Sequence, residues 1–127
     1  AIFEGVGLNL KIILESLERC GIIKEIIVIG GGAKSRAWLQ ILADIWQKPL
    51  LVPRYLEEAT SMGAAICGGV GIGAFHDFSV AARFNRIEER IEPSPDHKAA
   101  YQQLYSLFCT AYKQLVPVYK GLSALTK

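Results

Sequence analysis

Three consecutive glycines followed by Ala33, Lys34, Ser35 and Arg36 are the residues of this 127-residue chain best suited to chemistry. Without a Cβ, glycine lets the backbone approach an anion closely, and successive amides form a concave cradle for phosphate. The run Ile26-Ile27-Val28-Ile29 before them reads as a strand, and Ser35 as a helix start. Strand, glycine turn and helix N-terminus together make an anion site, because the first helical amides lack partners and the dipole is positive there. Gly30, Gly31, Gly32 and Ala33 are therefore candidate nucleotide contacts. Lys34 and Arg36 flank them, where a cation would hold phosphate or a guanidinium would stack on a base.

Two familiar phosphate motifs fit poorly. A Walker A loop needs Gly-Lys-Ser/Thr, and here Ala33 precedes Lys34-Ser35. A dinucleotide fingerprint is half matched, with Ser35 where the third glycine belongs. It also wants an acidic residue about 20 positions on at a strand end, and Glu57-Glu58 lie too far along. An NAD-dependent dehydrogenase domain is thus one alternative, and a tight strand-to-helix connection that holds no ligand is another. Glu57-Glu58 read as a solvated loop rather than a sugar or metal site. His76-Asp77 reads as a surface turn, since adjacent side chains seldom face one another. Trp38 and Trp46 share a helical face and read as core, with Trp38 close enough to the glycines to touch a base.

The elements that would carry these residues alternate. A helix is expected from about Ile2 to Cys20, with Val6, Leu10, Ile13, Leu14 and Leu17 on one face. A strand at 25–29 is apolar at consecutive positions, which predicts burial on both faces. A second helix carries Trp38, Leu42, Ile45 and Trp46, is capped by Ser35 and ends at Lys48-Pro49. Leu50-Leu51-Val52 is a short buried strand stopping at Pro53. Thr60 or Ser61 caps a third helix, poor in side chains at Gly63, Gly68 and Gly69. Ala82–Ile87 is expected to be an edge strand. Asp96 caps a long last helix with Tyr101, Leu104, Phe108, Ala111 and Leu115 inward, kinked or frayed by Pro117. The order is that of an α/β protein with helices on the sheet faces.

Bulk properties narrow the class. The length suits one domain, and 51% hydrophobic residues suit a packed core. Fourteen basic against 12 acidic residues, interleaved along the chain, imply neither nucleic acid nor an anionic membrane as partner. Three scattered cysteines and two isolated histidines give no metal-ligand spacing, so metal ligands are expected to be none. Reduced thiols fit a cytoplasmic protein. No apolar run approaches the roughly 18 residues of a membrane span, and no basic start followed by an apolar run marks a signal peptide.

A longer pattern then takes shape. Gly30-Gly31-Gly32-Ala33-Lys34-Ser35, Trp38, Gln40, Ala43-Asp44-Ile45, Pro49, Glu58-Ala59 and Met62-Gly63-Ala64-Ala65 occur in order, after an opening Phe3-Glu4-Gly5-Val6. From about Ile2 to Phe75 this closely resembles the C-terminal domain of the FGGY carbohydrate kinases, nearest in look to the xylulose kinases. The resemblance implies a ribonuclease H-like fold of the actin and hexokinase kind, with two domains closing over a cleft and ATP, with Mg²⁺, bound mostly by the second. It places Gly31, Gly32 and Ala33 against the nucleotide. Arg36 falls at or beside the position where glycerol kinases use asparagine near adenine. Glu58 and the small helix Met62–Gly69 would shape the cleft and hinge. The Asp-x-Gly-Thr phosphate loop, the proton-accepting aspartate and the sugar contacts of that family lie upstream of the matched segment. The expectation is therefore that residues 1–127 are a single domain or fragment, the nucleotide-binding portion of a sugar kinase, with no catalytic residue of its own and inactive alone. Its partners would be nucleotide, a ketopentose or related polyol through the N-terminal domain, and, through apolar surface left open, a second copy as a homodimer. A non-catalytic actin-like nucleotide-binding protein is the third alternative.

Overall fold

The computed structural model describes residues 1–125. Its elements are α1 (Ile2–Glu18), β1 (Ile26–Ile27), a 3-10 turn (Gly31–Lys34), α2 (Arg36–Trp46), β2 (Leu50–Pro53), α3 (Ala59–Gly71), a 3-10 turn (Phe78–Val80), α4 (Ala81–Phe84), β3 (Ile87–Ile91), a 3-10 turn (Pro95–His97) and α5 (Lys98–Leu125). The strands form one mixed sheet in the order β1-β2-β3. β2 is central, parallel to β1 and antiparallel to β3, with Ile26 opposite Leu50 and Leu50 opposite Ile91. This is α/β, as the element order predicts.

The core lies where α2 crosses the sheet. Leu39, Leu42 and Ala43 pack with Ala33, Leu50, Val52 and Ile91, and α1 closes over them through Leu10. Burying one such leucine stabilises the fold by about 1.5–3 kcal/mol. The amphipathic spacing explains α2, and its start is as expected: the Ser35 side chain accepts from the Trp38 amide at 3.3 Å. Its end comes before Lys48-Pro49. Gln47 turns left-handed at φ 54°, with its amide on the Ala43 carbonyl at 2.8 Å and its side chain on the Asp44 carbonyl at 2.7 Å. α1 lies close on α2 because Gly7 has no side chain: a Cβ there would stand 2.7 Å from the Ile45 Cδ1. Trp46 Nε1 donates to the Gly7 carbonyl at 3.0 Å across the same contact.

Several expectations need correction. β1 is not buried on both faces: Ile26 and Val28 point inward, while Ile27 is 60% exposed. A run of apolar residues does not say which face is covered, and among the described residues β1 is an edge strand. The third strand lies at Ile87–Ile91, after a helix at Ala81–Phe84 where a strand was expected. Its Ile-Glu-Glu-Arg-Ile sequence hides the strand pattern because the charges are spent on cross-element pairs: Glu89 with Arg36, Arg90 with Glu25 at 2.7 Å and Glu88 with Arg54 at 3.6 Å. α3 begins at Ala59 with Glu58 at its cap position, and neither Thr60 nor Ser61 caps it. The Ser61 hydroxyl instead donates back to the Glu58 carbonyl at 3.0 Å.

α5 starts at Lys98, and Asp96 sits inside the preceding 3-10 turn without capping it. Its inner face is Tyr101, Tyr105, Phe108 and Cys109, whereas Leu104, Ala111 and Leu115 are exposed. The Tyr105 hydroxyl donates to Glu15 at 2.7 Å, and Lys11 lies 4.7 Å from the ring centre. Lys11 also donates to the Ile45 carbonyl at 2.9 Å, and burial holds its ammonium below the usual lysine range. The helix runs through Pro117 to Leu125.

One carboxylate on α2 also fastens the segment between β3 and α5. Asp44 is 2% exposed. Its Oδ1 accepts from Gln40 Nε2 at 2.9 Å and from the Ser94 amide at 2.7 Å, and its Oδ2 meets His97 Nδ1 at 2.6 Å. Gln40 Nε2 also reaches the Glu92 carbonyl at 3.0 Å. Asp44→Ala would leave these three donors without their acceptor and is expected to cost about 2–4 kcal/mol in urea unfolding. Ser35→Ala, which removes only a helix cap, is expected to cost about 1 kcal/mol in the same assay.

Candidate functional site

The glycine turn sits at the carboxyl end of β1, where ligands bind in open α/β sheets. Gly30 carries the backbone out of the strand at φ 87°, a left-handed value that favours glycine. Its amide donates to the Leu56 carbonyl at 2.9 Å, so the turn is fastened to the loop leaving β2. The 3-10 turn closes with the Ala33 amide on the Gly30 carbonyl at 3.0 Å and the Ser35 amide on the Gly32 carbonyl at 3.2 Å. The amides of Gly31 and Gly32, first in this turn, have no carbonyl partner within it. A Cβ on Gly30 or Gly31 would meet nothing within 4 Å, and one on Gly32 would touch the Trp38 indole nitrogen at 3.5 Å. The approach to Gly30 and Gly31 is therefore open, and Trp38 walls one side.

Ala33 is 4% exposed and belongs to the core, so its side chain anchors the turn from within. The two cations are placed beside the turn, and both are already paired. Lys34 Nζ lies 2.6 Å from Glu57 Oε1, and Arg36 Nη1 meets Glu89 Oε1. Pairs this exposed are weak, about 0–1 kcal/mol, and exchange readily. A phosphate at Gly31 would thus compete with Glu57 for Lys34. The fold brings together all six candidates, Gly30, Gly31, Gly32, Ala33, Lys34 and Arg36, because they are nearly consecutive. The two carboxylates that hold the cations were hidden, since nothing in local spacing links Lys34 to Glu57 or Arg36 to Glu89.

Glu57 and Glu89, the carboxylates beside the turn, each face a cation. Among the described residues no group of three or more His, Cys, Asp and Glu is placed to hold a metal ion. The pair His76-Asp77 does form, against expectation: Nδ1 and Oδ2 are 3.0 Å apart. The contact arises because Asp77 starts the 3-10 turn, with Oδ1 accepting the Ser79 amide at 2.8 Å. Bonds from Ser79 and His76 hold the Asp77 carboxyl below its usual range. His76 stands almost wholly in solvent, so the pair serves the turn and activates no nucleophile.

Comparison with known proteins places the chain in a family. A family model, the FGGY family of carbohydrate kinases, C-terminal domain, matches residues 1–72. A xylulose kinase of Staphylococcus epidermidis is 36% identical over 128 residues, covering 99% of this chain and 26% of its own length. An autoinducer-2 kinase of Yersinia enterocolitica is 38% identical over 101 residues, covering 78% of this chain and 19% of its own length. The crystal structure of a ligand-bound xylulose kinase from Lactobacillus acidophilus superposes with a TM-score of 0.86 over 96% of this chain and 25% of that one, at 24% identity. The chain thus spans about a quarter, or less, of the length of these relatives. The fold is the actin and hexokinase-like ATPase fold of the sugar kinases. With the family model matching residues 1–72 and a relative 36% identical over 99% of the chain, the chain belongs to the FGGY family of carbohydrate kinases.

Proposed function

We propose that this chain is the ATP-side portion of a cytoplasmic kinase that moves the γ-phosphate of Mg·ATP to a hydroxyl of xylulose or a related ketopentose or polyol. The observation that carries the reading is the open backbone at Gly30 and Gly31, held between the core side chain of Ala33 and the Ser35 cap. The amides of Gly31 and Gly32 would hold nucleotide phosphate oxygens, Lys34 would turn from Glu57 toward them, and Trp38 would border the base. Arg36 flanks the same edge. Relatives named for xylulose and autoinducer-2 phosphorylation support a small polyol as acceptor.

Phosphoryl transfer is mostly positioning and charge stabilisation from both sides of a cleft. These residues supply one side. The metal bound with the nucleotide would neutralise phosphate charge, and no residue of this chain need hold it. The chain alone therefore binds nucleotide and does not transfer phosphate. Apolar faces on α1 and α5 remain open, including Phe3, Ile13, Leu107 and Tyr112. They support burial against further polypeptide, and a homodimer would form on the same faces.

Calorimetric titration with Mg·ADP is expected to show binding, with NAD silent in parallel. Gly31→Asp is accommodated sterically and puts a negative charge where phosphate would lie, so it is expected to weaken ADP at least about tenfold with unchanged thermal stability. Binding of NAD in place of ADP, or indifference to the substitution, would contradict the reading. In a coupled ADP-release assay with xylulose the chain alone is expected to show no turnover, and turnover would place catalytic groups within these residues.

A further inference from the structure

Three arginines converge on a second site that the kinase reading does not use. β2 ends at Pro53, and Arg54 follows at the same sheet end as the glycine turn. β3 runs antiparallel and begins at Ile87, so Arg86 arrives at that end from the other direction. Two backbone ties fix the juxtaposition: the Arg54 amide donates to the Arg86 carbonyl at 2.9 Å, and the Tyr55 amide donates to Asn85 Oδ1 at 3.3 Å. α4 adds Arg83 and Phe84. Together Arg54, Tyr55, Arg83, Phe84 and Arg86 line an open cavity of about 310 Å³.

The charges there are poorly neutralised. Arg54 has a long contact to Glu88, 3.6 Å, and lies 5.4 Å from the centre of the Tyr55 ring. Among the described residues the side chains of Arg83 and Arg86 make no ion pair or hydrogen bond. Three arginines that line one open cavity, two of them without a carboxylate, suit an anion. The guanidinium fork matches phosphate geometry, and the aromatic walls of Tyr55 and Phe84 would take a ring or carbon chain attached to it.

We infer that the cavity between the end of β2, α4 and the start of β3 binds a multiply charged phosphate group, as a diphosphate or a phosphate ester, through Arg54, Arg83 and Arg86. The site does not depend on the nucleotide reading of the glycine turn. Two sources share this chemistry: the phosphate tail of the nucleotide itself, and a separate phosphorylated small molecule.

The test is calorimetric titration of the full chain with inorganic pyrophosphate at fixed salt. Binding is expected, and Arg83→Ala and Arg86→Ala should each weaken it about tenfold, the loss of one charge-assisted contact. Arg83→Lys, which keeps the charge and loses the fork, should fall between. Arg19→Ala, at the far end of α1, should leave the affinity unchanged. Both alanine sites are exposed, and circular dichroism melts should match the parent. Repeating the titration with saturating Mg·ADP separates the sources. Competition, with Arg83→Ala also weakening ADP, assigns the site to the nucleotide's phosphates. Simultaneous binding assigns it to a separate phosphate ester. No binding of pyrophosphate, or an equal loss in Arg19→Ala, overturns the inference.

Discussion

A carboxylate with almost no access to water cannot be left unpartnered, and the buried Asp44 organises much of this fold around that requirement. Desolvating an ionised carboxyl costs several kcal/mol unless donors surround it. Here the donors come from three places: Gln40 one turn earlier on α2, the Ser94 amide beyond β3, and His97 just before α5. Satisfying one side chain therefore fixes the register between the central helix, the exit from the last strand and the start of the longest helix. The opposite end of α2 carries Ser35, and through it the glycine turn. Ala33 in the core and Asp44 in the polar knot thus hold the two ends of one rigid unit.

Rigidity at the anchors contrasts with looseness at the surface where a ligand would arrive. Gly31 faces open space, and Lys34 and Arg36 rest on carboxylates that are themselves exposed. Such pairs cost little to break, so the turn is positioned firmly while its charges stay exchangeable. The loop after β2 joins both sites. It holds Gly30 through Leu56 and Lys34 through Glu57, and it opens with Arg54 and Tyr55.

How much of this could be read in the sequence depended on how local each signal was. The strand, the glycine turn, the Ser35 cap and α2 were all legible, because each is written within a few consecutive residues. β2 was legible as a buried strand for the same reason. The one-sided burial of β1 was not, since Ile26 to Ile29 are all apolar and only the placement of α1 and α2 decides which two point inward. β3 was hidden by Glu88, Glu89 and Arg90, whose partners lie on other elements. The start of α5 was misplaced onto Asp96 because its actual tether, Asp44, lies far back on α2. The same holds for the sites: the glycine turn announced itself, whereas the grouping of Arg54, Arg83 and Arg86 exists only once β2 and β3 pair antiparallel.

The account rests on the glycine turn being a nucleotide platform whose backbone does the holding. Amide resonances of the chain, followed by heteronuclear NMR as Mg·ADP is added, test this most directly. The account predicts large, saturable shifts at Gly30, Gly31, Gly32 and the indole N–H of Trp38, with the Asp44 knot around Ser94 and His97 unmoved. Saturable shifts elsewhere with the glycine amides silent would contradict it.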